Sequence, residues 1–413
     1  WSEEETYTAN KDLSTIFNTR YIPGTRETWN VRCGFAGETG PRFIIPSEVS
    51  YPHAKKVVKI SECSRLTESY LYETLVDFIH MLYFRHLLVN PKDRKVVIIE
   101  SLLCPSSFRN TLAKVLFKHY EVASVLFAPN HLMALFTLGV QTALVVDVGY
   151  TETFALPIYD GVPILGAWQT LPVAGQAIHG SIEKKLLENC KVTTELAENV
   201  LLSSLLDSIK EDVLEDIKVR MCFVTKMERA VEYQNAIQED GSVDYAKLPP
   251  LPPIVDYPVD GNKILHICGS IRETAAEVLF DYDLEQQSLP SVILDCILKC
   301  PIDMRKVLSE NIVVTGGTAT LPGFTHRLQG ELLRLVQTPK YARSLAVRRF
   351  AFHAAPAKPN YTSWLGGAIF GASEVLASRS VSKESYLESG VIPDWSSIAE
   401  RVSTKDDDRP TIQ

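Results

Sequence analysis

Two short segments carry the residue types that could hold a phosphorylated ligand. In TALVVDVGYTETFALPIYDGVPIL (142–165) the apolar run ALVV leads into Asp147-Val148-Gly149. A carboxylate at a strand end, beside backbone N–H groups left accessible by glycine, can position a metal-bound phosphate. In NIVVTGGTATLPGF the run IVV leads into Gly316-Gly317-Thr318 and then toward a helical pattern. Paired glycines let backbone approach a ligand closely, and a helix N-terminus favours anions. Either segment alone also suits a plain β-turn. With one in each half of the chain, the pair predicts a nucleotide between two lobes.

Other chemistries find little support. His179, His266, His326 and His353 are isolated in sequence and match no metal spacing, so surface or core roles are expected. Ser101 and Ser106 lie near Cys104 but outside any G-x-S-x-G turn. No G-x-x-x-x-G-K-[ST] occurs, which excludes a P-loop. Cys296 and Cys300 fall four apart on a predicted helix, without a nearby His or a second Cys pair, and read as core thiols. No metal site is expected.

The elements that must position those turns follow from periodicity. Residues 1–30 are polar and irregular, with no strand expected before Cys33. CGFAGETGPRFIIPS reads as a glycine turn, a short strand and a Pro stop. Residues 67–88 place Leu71, Leu75, Phe78, Ile79 and Leu82 at helical spacing. KVVIIE (95–100) and ASVLFAP are buried-type strands. SSFRNTLAKVLFKHY is a helix with a serine N-cap, and NHLMALFTLG a helix closed by Gly139. Turns are expected at Asp147-Val148-Gly149 and at Asp160-Gly161. A mostly helical stretch follows from Gln176 to about Val231. QEDGSVDYAKLPPLPPIVDYP reads as a linker. ILHICGS is a strand, residues 271–300 are helical, and YTSWLGGAIFGASEVL is a glycine-opened helix. Alternating strands and helices predict an α/β architecture.

Composition sets the bounds. At 413 residues and 46% hydrophobic, the chain can bury more than one core. A net charge of −8 with 22% charged residues leaves no electrostatic footprint for nucleic acid. No run of apolar residues is long enough to span a membrane, and the start lacks the order of a secretory signal. Eight scattered cysteines fit reduced thiols and a cytosolic location.

Taken in order, the motifs resemble the actin family. CGFAGETGPR with IIPS resembles the segment after actin's first phosphate loop. VDVGYTETFALPIYDG is similar to its second phosphate loop and hairpin. LEDIKVRMCFV, CPIDMRK, IVVTGGTATLPGF, YTSWLGGAIFGA and SKESYLESG follow in the family's order, over roughly residues 31–395. The resemblance implies an α/β actin-like two-lobed fold of the actin/Hsp70/hexokinase type, with ATP or ADP and Mg in a cleft between lobes. It implies an irregular N-terminal segment (1–30), a first lobe (31–140) with a shortened pointed-end subdomain, and a second lobe (141–395) whose final helices return to the first. The charged run KDDDRP predicts a disordered tail over 396–413.

Carried over residue by residue, Asp147 and Gly149 match the aspartate and first glycine of the second phosphate loop. Gly175 matches a glycine on the nucleotide side, Lys218 a lysine near the adenosine, and Gly316, Gly317 and Thr318 the adenosine loop. Several positions depart. Tyr150 and Thr151 stand where the family has aspartate and glycine, and Phe154 where it has a histidine near the attacking water. Asn130 replaces the water-orienting glutamine, and Val219 a glutamate beside the adenosine lysine. Arg32 sits where a lysine is expected, and TRETWN lacks the glycines of the first phosphate loop. The absent initiator Met and the return to family pattern at Cys33 favour a start that is not native over a lost loop. Slow or absent ATP hydrolysis is expected, because Phe neither accepts a proton nor positions a water.

Between IIPS and the helix near Leu66 lies only EVSYPHAKKVVKISECSR, where actin carries a longer insertion that reaches the next subunit. FIHMLYFRHLLVNPKDRKVVIIES, VDYPVDGNKILHICGSIRET and SRSVSKESY further resemble the actin-related branch that ends the short filament of dynactin. The resemblance therefore implies a pointed-end cap. Its partners would be the filament subunit and the small pointed-end subunits of dynactin, with dynein engaged indirectly, in the cytoplasm and cytoskeleton. The alternatives are an active ATPase of the same fold, a nuclear actin-related subunit of a chromatin-remodelling complex, and a filament-forming actin.

Overall fold

The computed structural model describes residues 15–18, 30–51, 56–60, 67–101, 104–194, 200–236, 248, 250–259, 263–283 and 285–393. The expected disordered tail, most of residues 1–30 and most of the expected linker lie outside them. The chain divides into two compact units. The first comprises Trp1–Gln141, Ile158–Pro163 and Ala355–Gln413; the second comprises Thr142–Pro157 and Ile164–Ala354.

The first unit is built on a six-stranded mixed sheet. Its spatial order is Val381–Ser382, Ser124–Pro129, Lys95–Glu100, Thr15–Asn18, Asn30–Phe35 and Phe43–Pro46. Thr15–Asn18 corrects the expectation of no strand before Cys33. This four-residue run is parallel to Lys95–Glu100 and antiparallel to Asn30–Phe35, with Ile16 and Phe17 buried between cores. So short a strand is specified by its two neighbours, and periodicity has too few residues to report it. Cys33 and Gly34, expected in a turn, lie in the Asn30–Phe35 strand. The segment after Pro46 forms an antiparallel hairpin, Glu48–Tyr51 with Lys56–Lys59. Val49, Val58 and Ile60 are buried in one cluster with Leu71, Leu75 and Phe78 of the helix Glu68–Met81. Tyr51 donates to Asp77 at 2.6 Å, which ties the hairpin to the same helix.

Two local expectations are corrected here. Pro105, not a serine, occupies the N-cap of the helix Ser106–Lys114, and no side chain caps it. YTSWLGGAIFGA is not opened by glycine: the helix runs Thr362–Gly371, and its glycines are interior. A Cβ on Gly366 would lie 1.8 Å from the carbonyl oxygen of Met133, so this glycine lets the helix touch the backbone of the helix Asn130–Phe136.

The second unit holds two sheets. In one, Ala143–Val148 lies between Thr153–Tyr159 and Ile312–Thr315, and Gln169–Leu171 pairs with Thr153–Ala155. The other is antiparallel, in the order Val200–Leu201, Lys191–Thr194, Lys263–Ile267 and Val255–Val259. The strands Lys191–Thr194 and Val200–Leu201 interrupt the stretch expected to be helical from Gln176 to Val231. Val200–Leu201 pairs with Lys191 and Val192, and Lys191–Thr194 pairs in turn with Lys263–Ile267 some seventy positions away, a partnership that local pattern does not carry. The end of the expected linker is likewise a strand, with Pro258 tolerated because that strand is at the sheet edge. The helix expected over 271–300 breaks after Leu279 and restarts at Leu289, where Ser288 and Ser291 form a reciprocal cap. One apolar cluster, from Leu144 to Phe350, fills this unit. Cys296 and Cys300 belong to it; their thiols donate to the Ala155 and Cys296 carbonyls, and burial raises both pKa values, that of Cys300 to about 11.

Candidate functional site

All seven residues singled out from the sequence lie in the second unit. The strands Ala143–Val148 and Ile312–Thr315 run parallel, in a register that sets Thr315 opposite Asp147. Their ends therefore deliver both glycine segments to one place. Asp147 and Val148 are still in the strand; the turn is Gly149–Glu152, closed by the Gly149 N–H donating to the Glu152 carbonyl at 3.1 Å. This shifts the expected turn by two residues and leaves Asp147 buried at 4% exposure.

Gly316 has φ +107°, and a Cβ there would sit 2.0 Å from the Val148 carbonyl oxygen. The second loop thus packs backbone to backbone against the first. Thr318 Oγ1 donates to the Gly149 carbonyl at 2.6 Å. The helix Gly175–Asn189 starts against the same loop: the N–H groups of Gly175 and Gln176 donate to the carbonyls of Gly149 and Tyr150, at 3.3 and 2.7 Å. Gly317 faces open space.

Lys218 reaches the loop through a second set of side chains. It lies on the helix Glu211–Met221, buried at 5%, and its ammonium bonds to Glu215. His179 Nε2 donates to the same carboxylate at 2.8 Å, while His179 Nδ1 sits 3.0 Å from the Tyr150 hydroxyl. That hydroxyl donates to Glu211. The Lys218 ammonium stands 5.9 Å from the centre of the Tyr150 ring. Partial burial would push the Glu215 carboxyl up, but the His179 hydrogen bond and the Lys218 charge outweigh it and hold the carboxyl at about 2. Glu152 is shifted the other way, raised by burial and by the charge of Asp147. Its Oε1 is buried without a hydrogen-bond partner.

Tyr150 is read in the sequence only as a departure within the second phosphate loop; His179, Glu211 and Glu215 are not expected in the site, His179 being read as isolated. A usable signal existed. Glu211, Glu215 and Lys218 recur at i, i+4 and i+7, one face of a helix, and His179 is one turn past Gly175. The other histidines stay apart: His266 bonds Thr193 and Asp256, and His353 bonds Asn311. Among the described residues no cluster of His, Cys, Asp and Glu has metal-binding form, and no helix is long and apolar enough to cross a membrane. Phe154 is buried in its strand with its ring 6.1 Å from Trp168, a packing role.

Parallel strands that end in two interlocked glycine loops, in an α/β chain of two units, define an actin-type fold. The chain belongs to the actin family, whose sequence model, described as Actin, matches residues 28–393. It is 30% identical over 434 residues to "Actin-related protein 10" of Dictyostelium discoideum, covering 89% of this chain and 87% of that protein. It is 24% identical over 385 residues to "Putative actin-29" of the same organism, covering 87% of this chain and 92% of that protein.

This fold typically binds nucleotide with Mg. The residues here fit that ligand poorly. The Gly149 amide and the first two amides of the Gly175–Asn189 helix are spent on loop carbonyls, and Thr318 shares the Gly149 carbonyl with the Gly175 amide. The Lys218 charge is paired. Beyond Asp147, which could hold a metal, Glu152, Glu211 and Glu215 add further carboxylates around the same loop, which a polyphosphate would not favour.

Proposed function

We propose that this chain is a non-catalytic actin-related structural subunit that caps the pointed end of an actin-related filament of the dynactin kind, in the cytoplasm, in support of dynein-driven movement along microtubules. The observation that carries the reading is the short hairpin Glu48–Tyr51/Lys56–Lys59. It buries Val49 and Val58 in its own unit and is pinned to the Glu68–Met81 helix through Tyr51 and Asp77. Head-to-tail assembly uses unlike faces and continues until one face offers nothing to the next subunit. A subunit that keeps its docking face while this segment folds back on itself would end the polymer. The filament subunit and the small pointed-end subunits would be its neighbours. The likeness to "Actin-related protein 10" supports the same branch of the family.

The site supports the non-catalytic part. Phe154, packed beside Trp168, supplies neither a base nor a hydrogen bond for an attacking water. To test both parts, actin-related filaments with labelled ends are grown with the purified chain present. Growth at pointed ends is expected to stop when the chain matches the number of ends, not the number of subunits. Finding the chain inside filaments with neighbours on both sides would refute the cap, and multiple-turnover ATP hydrolysis would count against the structural reading.

A further inference from the structure

We propose that Tyr150 and the side chains bonded to it occupy the nucleoside side of the site, so that this chain holds its phosphate and adenosine loops together without a bound nucleotide. The Tyr150 ring lies between the two landmarks a nucleoside would have to touch. Its Cδ2 is 3.3 Å from where a Cβ on Gly175 would stand, and the Lys218 ammonium sits over its face. A sugar or base in contact with Gly175 and Lys218 would share the volume of that ring.

The hydroxyl and its partners complete the replacement. Tyr150 bonds Glu211 and lies against His179; His179 and Lys218 converge on Glu215. The network therefore links the Gly149 loop to the helices Gly175–Asn189 and Glu211–Met221. His179 and Lys218 are buried, at 4% and 5% exposure, and both bond Glu215, so these donors are already engaged within the protein. A tethered side chain also competes at an effective concentration that a free ligand must exceed. Tyrosine is suited to this role because its ring fills volume while its hydroxyl reaches a polar partner.

The experiment uses the full chain. Adenine nucleotide is released by acid from freshly purified protein and quantified, and binding of Mg-ATP and Mg-ADP is titrated with a fluorescent analogue and by calorimetry. Wild type is expected to carry well under one nucleotide per chain. Tyr150→Ala, which removes the ring, is expected to bind Mg-ATP at least about tenfold more tightly than wild type. Tyr150→Phe, which keeps the ring but loses the bonds to His179 and Glu211, should bind as weakly as wild type. Stoichiometric nucleotide in the wild type overturns the proposal, whether or not the variants fold. So does a folded Tyr150→Ala with no gain over Tyr150→Phe. Capping is read in a separate filament assay, so either reading can fail without the other.

Discussion

Arg327→Leu is expected to destabilise the second unit by about 3–5 kcal/mol, the cost of leaving buried charges without their partner. Arg327 lies on the helix Phe324–Leu335 at 2% exposure. It donates to both Glu277 oxygens at 2.9 and 2.8 Å, to Glu331 at 2.9 Å and to the Thr225 carbonyl at 3.2 Å. Its guanidinium also stacks 4.6 Å over Phe280. Leucine would fill part of the volume and satisfy none of these acceptors. Glu331 would retain Arg334, at 2.7 Å. Glu277 would not be so served.

The loss should depend on pH, with a definite sign. Burial already raises the Glu277 carboxyl, and Arg327 opposes that rise. Without Arg327 the carboxyl climbs further, so the folded variant holds a proton that the unfolded chain releases. Stability then falls as pH rises from the unfolded value, about 4.3, through the raised folded one. The deficit of Arg327→Leu relative to wild type should therefore shrink on acidification from neutral pH toward about pH 5. Urea midpoints measured for both proteins across that range check this. A deficit that stays constant or grows in acid would show that Glu277 is not the stranded charge.

Gly316→Ala is expected to lose about 2–5 kcal/mol, combining roughly 1–2 for a left-handed backbone and 1–3 for overpacking against fixed atoms. The added methyl would meet the Val148 carbonyl oxygen at 2.0 Å and carbon at 2.5 Å. Neither is the end of a flexible side chain, so relief must separate the ends of two paired strands. The Thr318–Gly149 hydrogen bond would be strained with them. Its neighbour supplies the control. Gly317 has φ −67° and nothing within 4 Å of an added Cβ, so Gly317→Ala should be neutral or stabilise by about 0.4–1 kcal/mol. Thermal unfolding of the two variants separates them; similar losses in both would contradict the packing described.

That contrast marks how far each residue's role was legible. Gly316-Gly317-Thr318 reads in the sequence as paired glycines making room for a ligand. In the fold Gly316 makes room for the Val148 backbone, and only Gly317 is open. The glycines of YTSWLGGAIFGA read in the sequence as a helix start, yet they are interior and Gly366 serves contact with Met133. Glycine is conspicuous in sequence, but what approaches it comes from elsewhere in the chain.

The sequence by itself determined the family, the order of its motifs and the strands that carry the site. KVVIIE, ALVV and IVV are uninterrupted apolar runs, and burial on both faces demands that pattern wherever such a strand pairs. Tertiary structure alone decided that Thr15–Asn18 is a strand and that His179 and Glu215 join Lys218 around Tyr150. The reason is physical. Hydrophobic periodicity is a local property summed over many residues, whereas a four-residue strand or a hydrogen-bonded cluster depends on partners brought close only when distant segments pack.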